Sequence, residues 1–237
     1  MPKDWVLLIS CEHGGHKIPK QYTAQLDEET RTLLSTHRGW DKGALALAKQ
    51  VSKAENAPMF FTEISRLLID CNRSITHRNA YGSSFRDASA EVKEQIANDY
   101  YHPYRLSIVD AIERFHKKNL KVLHCAFHSF TPVMNGEERN AEFGLLYDPA
   151  RSSEMILADV MMEKLREVEF PWRARRNYPY LGKADGFTRF LRGQFSPKIY
   201  AGFELEFNQN LFLAEETSKY LGVKMIELFS SLELHRF

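Results

Sequence analysis

The chain has 237 residues, 43% hydrophobic and 27% charged, with a formal net charge of +1. That length suits one large α/β domain with an extensive core. The near-neutral charge gives no reason to expect nucleic acid or an anionic membrane as a partner, and no apolar run approaches the roughly 20 residues that span a bilayer.

In chain order, Trp5 to Cys11 is an apolar strand that runs into Glu12-His13-Gly14-Gly15-His16. Asp27 to Thr36 reads as a short helix, and Asp41 to Asn56 as a clearer one with Ala44, Leu47, Ala48 and Val51 on one face and Asp41 near its N-terminus. Pro58 to Ile64 is expected to be a buried strand, followed by the polar segment Ser65 to Arg73 and a loop from Ser74 to Phe85. Ala90 to Lys118 is helical in pattern, with Pro103 expected to break or kink it. Lys121 to Phe127 is a strand delivering His128-Ser129-Phe130, and Glu142 to Tyr147 is another. Glu154 to Glu169 is an amphipathic helix, Phe170 to Gly186 a loop, and Lys198 to Phe203 a strand delivering Glu204 to Gln209. Glu215 to Leu232 closes the chain as a helix, with Tyr220, Val223, Met225, Ile226 and Phe229 offering apolar surface.

Short apolar strands separated by helices predict a parallel sheet covered on both faces, with its ligand crevice beyond the carboxyl ends of the strands. Four such ends carry histidines, glutamates and two arginines. Arg66 and Arg73 offer planar forks suited to a carboxylate or an acyl oxygen, although a loop in which Asp70 merely pairs with either arginine has the same composition. His13 and His16 are spaced to converge on one ion if their turn curls. His128 adds a third imidazole from a neighbouring strand, which makes the open ligand set of a catalytic zinc site. His124 lies deeper in its strand and is expected to be a core residue. Three cysteines without a CxxC pair suggest a reducing compartment. Met1-Pro2-Lys3-Asp4 leads straight into a strand, so the expected location is cytoplasmic.

Cys11-Glu12-His13-Gly14-Gly15, Asp41-Lys42-Gly43-Ala44, Ser65-Arg66 through Asp70-Cys71-Asn72-Arg73 and His128-Ser129-Phe130 resemble, in this order, the N-formylglutamate amidohydrolase family. So do Asn177 to Gly182, Asp185 to Thr188 and Glu206-Phe207-Asn208-Gln209. The resemblance spans nearly the whole chain. It implies a hydrolase-like three-layer α/β/α fold of the zinc carboxypeptidase and aspartoacylase type, with a mostly parallel mixed sheet in a single domain. It further implies a zinc-dependent amidohydrolase that cleaves an N-acyl amino acid such as N-formylglutamate. The first loop resembles the HxxE zinc motif of that wider group, with His16 where the group has glutamate. The implied metal ligands are therefore His13, His128 and a third from His16, Asp41 or Glu12. Glu206 matches a late catalytic glutamate that would act as the base, and Arg66 would stabilise the oxyanion. Asn72 and Arg73 would hold the substrate carboxylate, with Ser129 and Tyr180 also in the substrate-binding set and Arg175, Arg176 and Arg189 as further carboxylate candidates. Glu204, two residues from Glu206, reads better as a neutraliser of the arginines. Two other classes stay open: a cysteine-dependent amidase using Cys11 or Cys125, and a metal-free anion-binding regulatory protein.

Overall fold

The computed structural model describes residues 4–235. Six strands form the main sheet in the order β2-β1-β3-β8-β6-β7. They are β1 (Trp5–Cys11), β2 (Met59–Phe61), β3 (Lys121–Phe130), β6 (Phe143–Leu146), β7 (Ala174–Arg176) and β8 (Tyr200–Asn208); β4 (Val133–Met134) and β5 (Glu137–Glu138) form a separate hairpin. Neighbours are parallel except for β6 against β8, so the sheet is mixed but mostly parallel.

Side-chain alternation assigns the two faces. Leu7 and Ile9 of β1, Leu123, Cys125 and Phe127 of β3, and Phe203, Leu205 and Phe207 of β8 pack on one side. There they meet α2 (Ala44–Glu55), α6 (Ser152–Glu167) and α8 (Glu215–Ser231). Val6, Leu8, Val122 and Tyr200 face the other side, against α5 (His102–Lys117) and α7 (Phe187–Gln194). This is the expected three-layer arrangement. The interior is closely filled: Phe127 and Phe207 are fully buried and stack with centroids 5.8 Å apart. Truncating such a phenylalanine costs about 3–5 kcal/mol.

The remaining helices are α1 (Glu28–Leu33), capped by the Asp27 side chain accepting from Thr30 N at 2.6 Å, α3 (Ser83–Arg86) and α4 (Ala90–Ile96). No helix among the described residues is long and apolar enough to cross a membrane.

Several local expectations are corrected. β2 is a three-residue edge strand whose residues are half-buried or exposed, because it pairs with β1 on one side only. Pro103 does not interrupt the helical path. A π turn at Ala97–Tyr101 joins α4 to α5, and Pro103 falls in the first turn of α5, where its missing N–H and its ring are tolerated. α2 begins at Ala44, three residues after Asp41. The segments expected to be loops contain α3 and β7, and α7 was not anticipated. Of the apolar residues of α8, Met225 and Phe229 are buried, whereas Tyr220 and Val223 are exposed. Tyr220 instead lies against Trp172 at 5.7 Å between ring centroids.

Candidate active site

The buried histidine and glutamate side chains of β3 and β8 lie on the α5/α7 face. His124 and His128 of β3 and Glu204 and Glu206 of β8 share its parity, and both strands continue two residues past His128 and Glu206. These groups therefore stand within strands, near their carboxyl ends, rather than in the loops that follow.

Farther down, His124 is fully buried between the Ser10 hydroxyl at 2.7 Å and the Tyr200 hydroxyl at 2.8 Å, as expected of a core residue. Burial pulls its pKa down to about 4, so it is neutral.

Nearer the strand ends, His13 and His128 face each other with ring centroids 5.0 Å apart. Asp41 stands between them, its Oδ2 3.4 Å from His13 Nδ1 and 2.9 Å from His128 Nδ1. The ligand atoms of His13, Asp41 and His128 all lie within 4.8 Å of one another, and all three residues are buried. Each histidine turns its other nitrogen to a second buried carboxylate: His13 Nε2 donates to Asp70 Oδ1 at 2.7 Å, and His128 Nε2 is 3.1 Å from Glu12 Oε2. Glu12 is held in turn by the Tyr104 hydroxyl at 2.9 Å. The other ring nitrogen of His13, Nδ1, is buried beside Asp41 and has no hydrogen-bond partner. Carboxylate partners behind the imidazoles fix tautomer and ring orientation in metal sites.

The charges reinforce this picture. Burial would raise Glu12, Asp41 and Asp70, yet their cationic neighbours hold all three below the usual carboxylate range. The neighbour is His128 for Glu12, which sits at about 2, Arg66 then His13 for Asp41, and His13 for Asp70. Burial would lower His128, but Asp41 and Glu12 outweigh it and hold it well above its ordinary value. Three ionised carboxylates around two imidazoles and Arg66 make a donor set that fits a divalent cation.

Local backbone explains which residues arrive here. Asp41 N donates to His13 O at 2.9 Å, and Gly43, at φ 87°, turns the chain into α2 where a Cβ would strike the Phe212 ring. Asp41 is thus a site residue rather than a helix cap. The loop after His13 does not curl. Gly14 N donates to Thr62 O and Lys17 N to Glu63 O, and a Cβ on Gly15 would lie 2.6 Å from Glu63 O, so the segment lies flat along the exit of β2. His16 is consequently exposed, its ring against Trp40 at 5.1 Å, outside the cluster it was expected to complete.

Glu206 is the direct register partner of His128 across β3 and β8. It is buried with an unpartnered Oε2, and burial above all raises its pKa to about 7. Gly144 of β6 lies opposite and makes room, since a Cβ there would approach Glu206 Cβ to 3.3 Å and collide with Tyr178 O. Glu204 is half-buried and engaged, accepting from Thr188 Oγ1 at 3.2 Å and Asn72 Nδ2 at 3.5 Å.

The remaining candidates line the same cavity, of about 280 Å³. Arg66 pairs with Asp41 Oδ1. Arg73 is half-buried and reaches Asp185 O at 3.1 Å. Asn72 is largely committed, since its Oδ1 also accepts from Phe187 N at 2.7 Å. Ser129 is buried, its hydroxyl donating to Lys42 O. Tyr180 is exposed at the rim and accepts from Arg139 at 3.1 Å. Arg175 and Arg176 are placed otherwise: Arg175 lies over Tyr178 and Arg176 pairs with Asp159. Arg189 is exposed on α7 and does not line this cavity.

Two supports escaped sequence reasoning. Tyr101, in the π turn, donates to Arg73 O at 2.8 Å, and the buried Arg105 donates to Cys71 O at 3.0 Å and Arg73 O at 3.3 Å. Arg105 is packed among Tyr101, Phe187 and Phe190. An arginine among the buried positions of α5 was the only available signal. Cys11, Cys71 and Cys125 are buried, and burial raises each thiol pKa, which is the opposite of an activated nucleophile.

A family model described as N-formylglutamate amidohydrolase matches residues 6–213. The solved structure of gene product Atu2144 from Agrobacterium tumefaciens superposes with a TM-score of 0.79 at 29% identity, over 98% of this chain and 92% of that one. The N-formylglutamate amidohydrolase from Ralstonia eutropha JMP134 shares the fold, with a TM-score of 0.75 at 18% identity, over 96% of this chain and 92% of that one. No curated protein matches the chain.

Proposed function

The chain belongs to the N-formylglutamate amidohydrolase family, and from that premise we propose that it hydrolyses the amide of an N-acyl amino acid such as N-formylglutamate, with zinc held by His13, Asp41 and His128. The observation that carries this reading is the meeting of three buried ligand atoms, with Asp70 and Glu12 behind the two imidazoles. His13 and His128 are retained from the sequence expectation, and Asp41 replaces His16 as the third ligand. When bound there, zinc would polarise the acyl oxygen and lower the pKa of a water towards about 7.

The protein's own groups supply the rest. Glu206 faces the same cavity with a pKa near neutrality, so it can accept a proton from the attacking water and return it to the departing amine nitrogen. Arg66 brings a guanidinium to the place where negative charge develops on the acyl oxygen. Arg73 offers its fork to the α-carboxylate, which sets the scissile bond in register with Glu206. Tyr101 and Arg105 hold the Arg73 backbone in place.

The direct test is hydrolysis of N-formylglutamate by purified protein, followed by release of glutamate, before and after chelation and zinc readdition. Activity that is lost on chelation and restored by zinc supports the reading. Full activity in rigorously metal-free protein contradicts the zinc assignment, and no hydrolysis of any N-acyl amino acid contradicts the activity.

A further inference from the structure

The cavity described above opens into a larger chamber of about 500 Å³. Asp41, Arg66, Asp70, Arg73, Ser129 and Tyr180 stand in the walls of both, so the chamber is an antechamber of the same site. Its size falls in the range that holds a drug-sized ligand, roughly 300–1,000 Å³. None of the steps above uses its far wall, where His37, Arg38 and Arg86 stand.

The charge of that wall is one-sided. Asp41 and Asp70 are paired with Arg66 and His13. Among the described residues, Arg38, Arg73 and Arg86 take part in no ion pair, and Glu29 is the one other carboxylate on the wall. Three unpaired guanidiniums around a concave space concentrate positive potential and offer paired donors to carboxylates. Burial above all, and then the charges of Arg38, Arg66 and Arg139, hold the pKa of His37, on the same wall, below the ordinary histidine value.

Building on the amidohydrolase reading, we propose that the outer chamber is a subsite for an anionic extension beyond the glutamyl γ-carbon, and that the substrate class includes N-acyl glutamates γ-linked to further acidic residues. Arg73 borders both cavities, so an α-carboxylate held there leaves the side chain directed into the chamber. Extension through the side chain leaves that α-carboxylate free, whereas extension through the α-carboxylate would consume it. Arg38 and Arg86 are exposed, distinct from the reacting groups, and within reach of a longer anionic chain.

The test compares N-formylglutamate with N-formyl-γ-glutamylglutamate, which keeps the first α-carboxylate, turns the γ-carboxylate into an amide and carries two carboxylates beyond that amide, a net gain of one. The wild-type kcat/KM should favour the longer compound by on the order of tenfold, the size of one charge-assisted contact. The double variant Arg38→Gln, Arg86→Gln should lose that preference and keep its rate on N-formylglutamate. Equal rates on the two compounds in wild type, or a preference that survives in the double variant, would overturn the subsite. Calorimetric binding of free γ-glutamylglutamate and glutamate provides a readout without turnover. If neither formyl compound is hydrolysed, the activity reading falls, while tighter arginine-dependent binding of γ-glutamylglutamate still supports the subsite. Equal binding of the two by wild type, or tighter binding that survives in the double variant, overturns it.

Discussion

His128 and Glu206 are paired in register on the adjacent parallel strands β3 and β8, with both side chains on the sheet face covered by α5 and α7. Glu204 shares that parity but pairs with Ala126, one step deeper, where Thr188 and Asn72 occupy its carboxylate. The two glutamates therefore differ in environment, although parity alone makes them equivalent.

That difference predicts unequal variants. Glu206→Gln should lower kcat by about 10²–10⁴, the usual contribution of a positioned acid–base group, with zinc content unchanged. Glu204→Gln keeps the shape of a brace and should cost only a few-fold. Steady-state kinetics alongside metal analysis would check both. A larger loss for Glu204→Gln would reverse the assignment.

A second prediction separates binding from chemistry in the Arg73 loop. Arg73→Lys keeps the charge but loses the planar fork, so KM for an N-acyl amino acid should rise about tenfold with kcat much less affected. The preference over the uncharged amide analogue should fall in parallel. Tyr101→Phe removes only the hydroxyl on Arg73 O, worth about 1 kcal/mol, and should shift KM in the same direction by several-fold. A fall in kcat at constant KM in either variant would mean that this loop does not hold the carboxylate.

Much of this was legible in the chain because strand ends carry their chemistry in sequence. His13, His128 and Glu206 each follow an apolar run that could only be a buried strand. Asp41 was harder, since a carboxylate just before a helical pattern looks like a cap. What moves it into the site is the Gly43 turn and the bond from its N–H to His13 O, both set by tertiary packing. His16 failed for the converse reason: spacing allowed convergence, but contacts with Thr62 and Glu63 hold the loop flat. Tyr101 and Arg105 carry no local signature, because the π turn and the covering rings that aim them exist only in the folded chain.

The third prediction concerns stability against pH. His124 has a folded pKa of about 4, below the 6.5 of an exposed histidine. Between those values the unfolded chain takes up a proton that the folded chain refuses. The stability due to neutral His124 is thus complete above 6.5 and is lost as pH falls to 4, by about 3 kcal/mol in all. His124→Gln should show a shallower decline than wild type across that window in denaturant titrations. Parallel curves would mean that the histidine titrates normally in the fold.

The fourth prediction bears on the thiols. All three cysteines are buried with raised pKa values, so brief alkylation of the native protein near neutral pH should leave them unmodified and hydrolysis intact. Mass spectrometry paired with an activity assay reads both. Inactivation in step with modification of Cys11 or Cys125 would restore the cysteine route.

The most direct measurement is the zinc content of purified His13→Ala, Asp41→Ala, His128→Ala and His16→Ala proteins after equilibration with limiting zinc, with folding checked by circular dichroism. The first three should retain well under one zinc per chain, and His16→Ala should match wild type. Full zinc occupancy in the Asp41 variant together with loss in the His16 variant would contradict the site as built here.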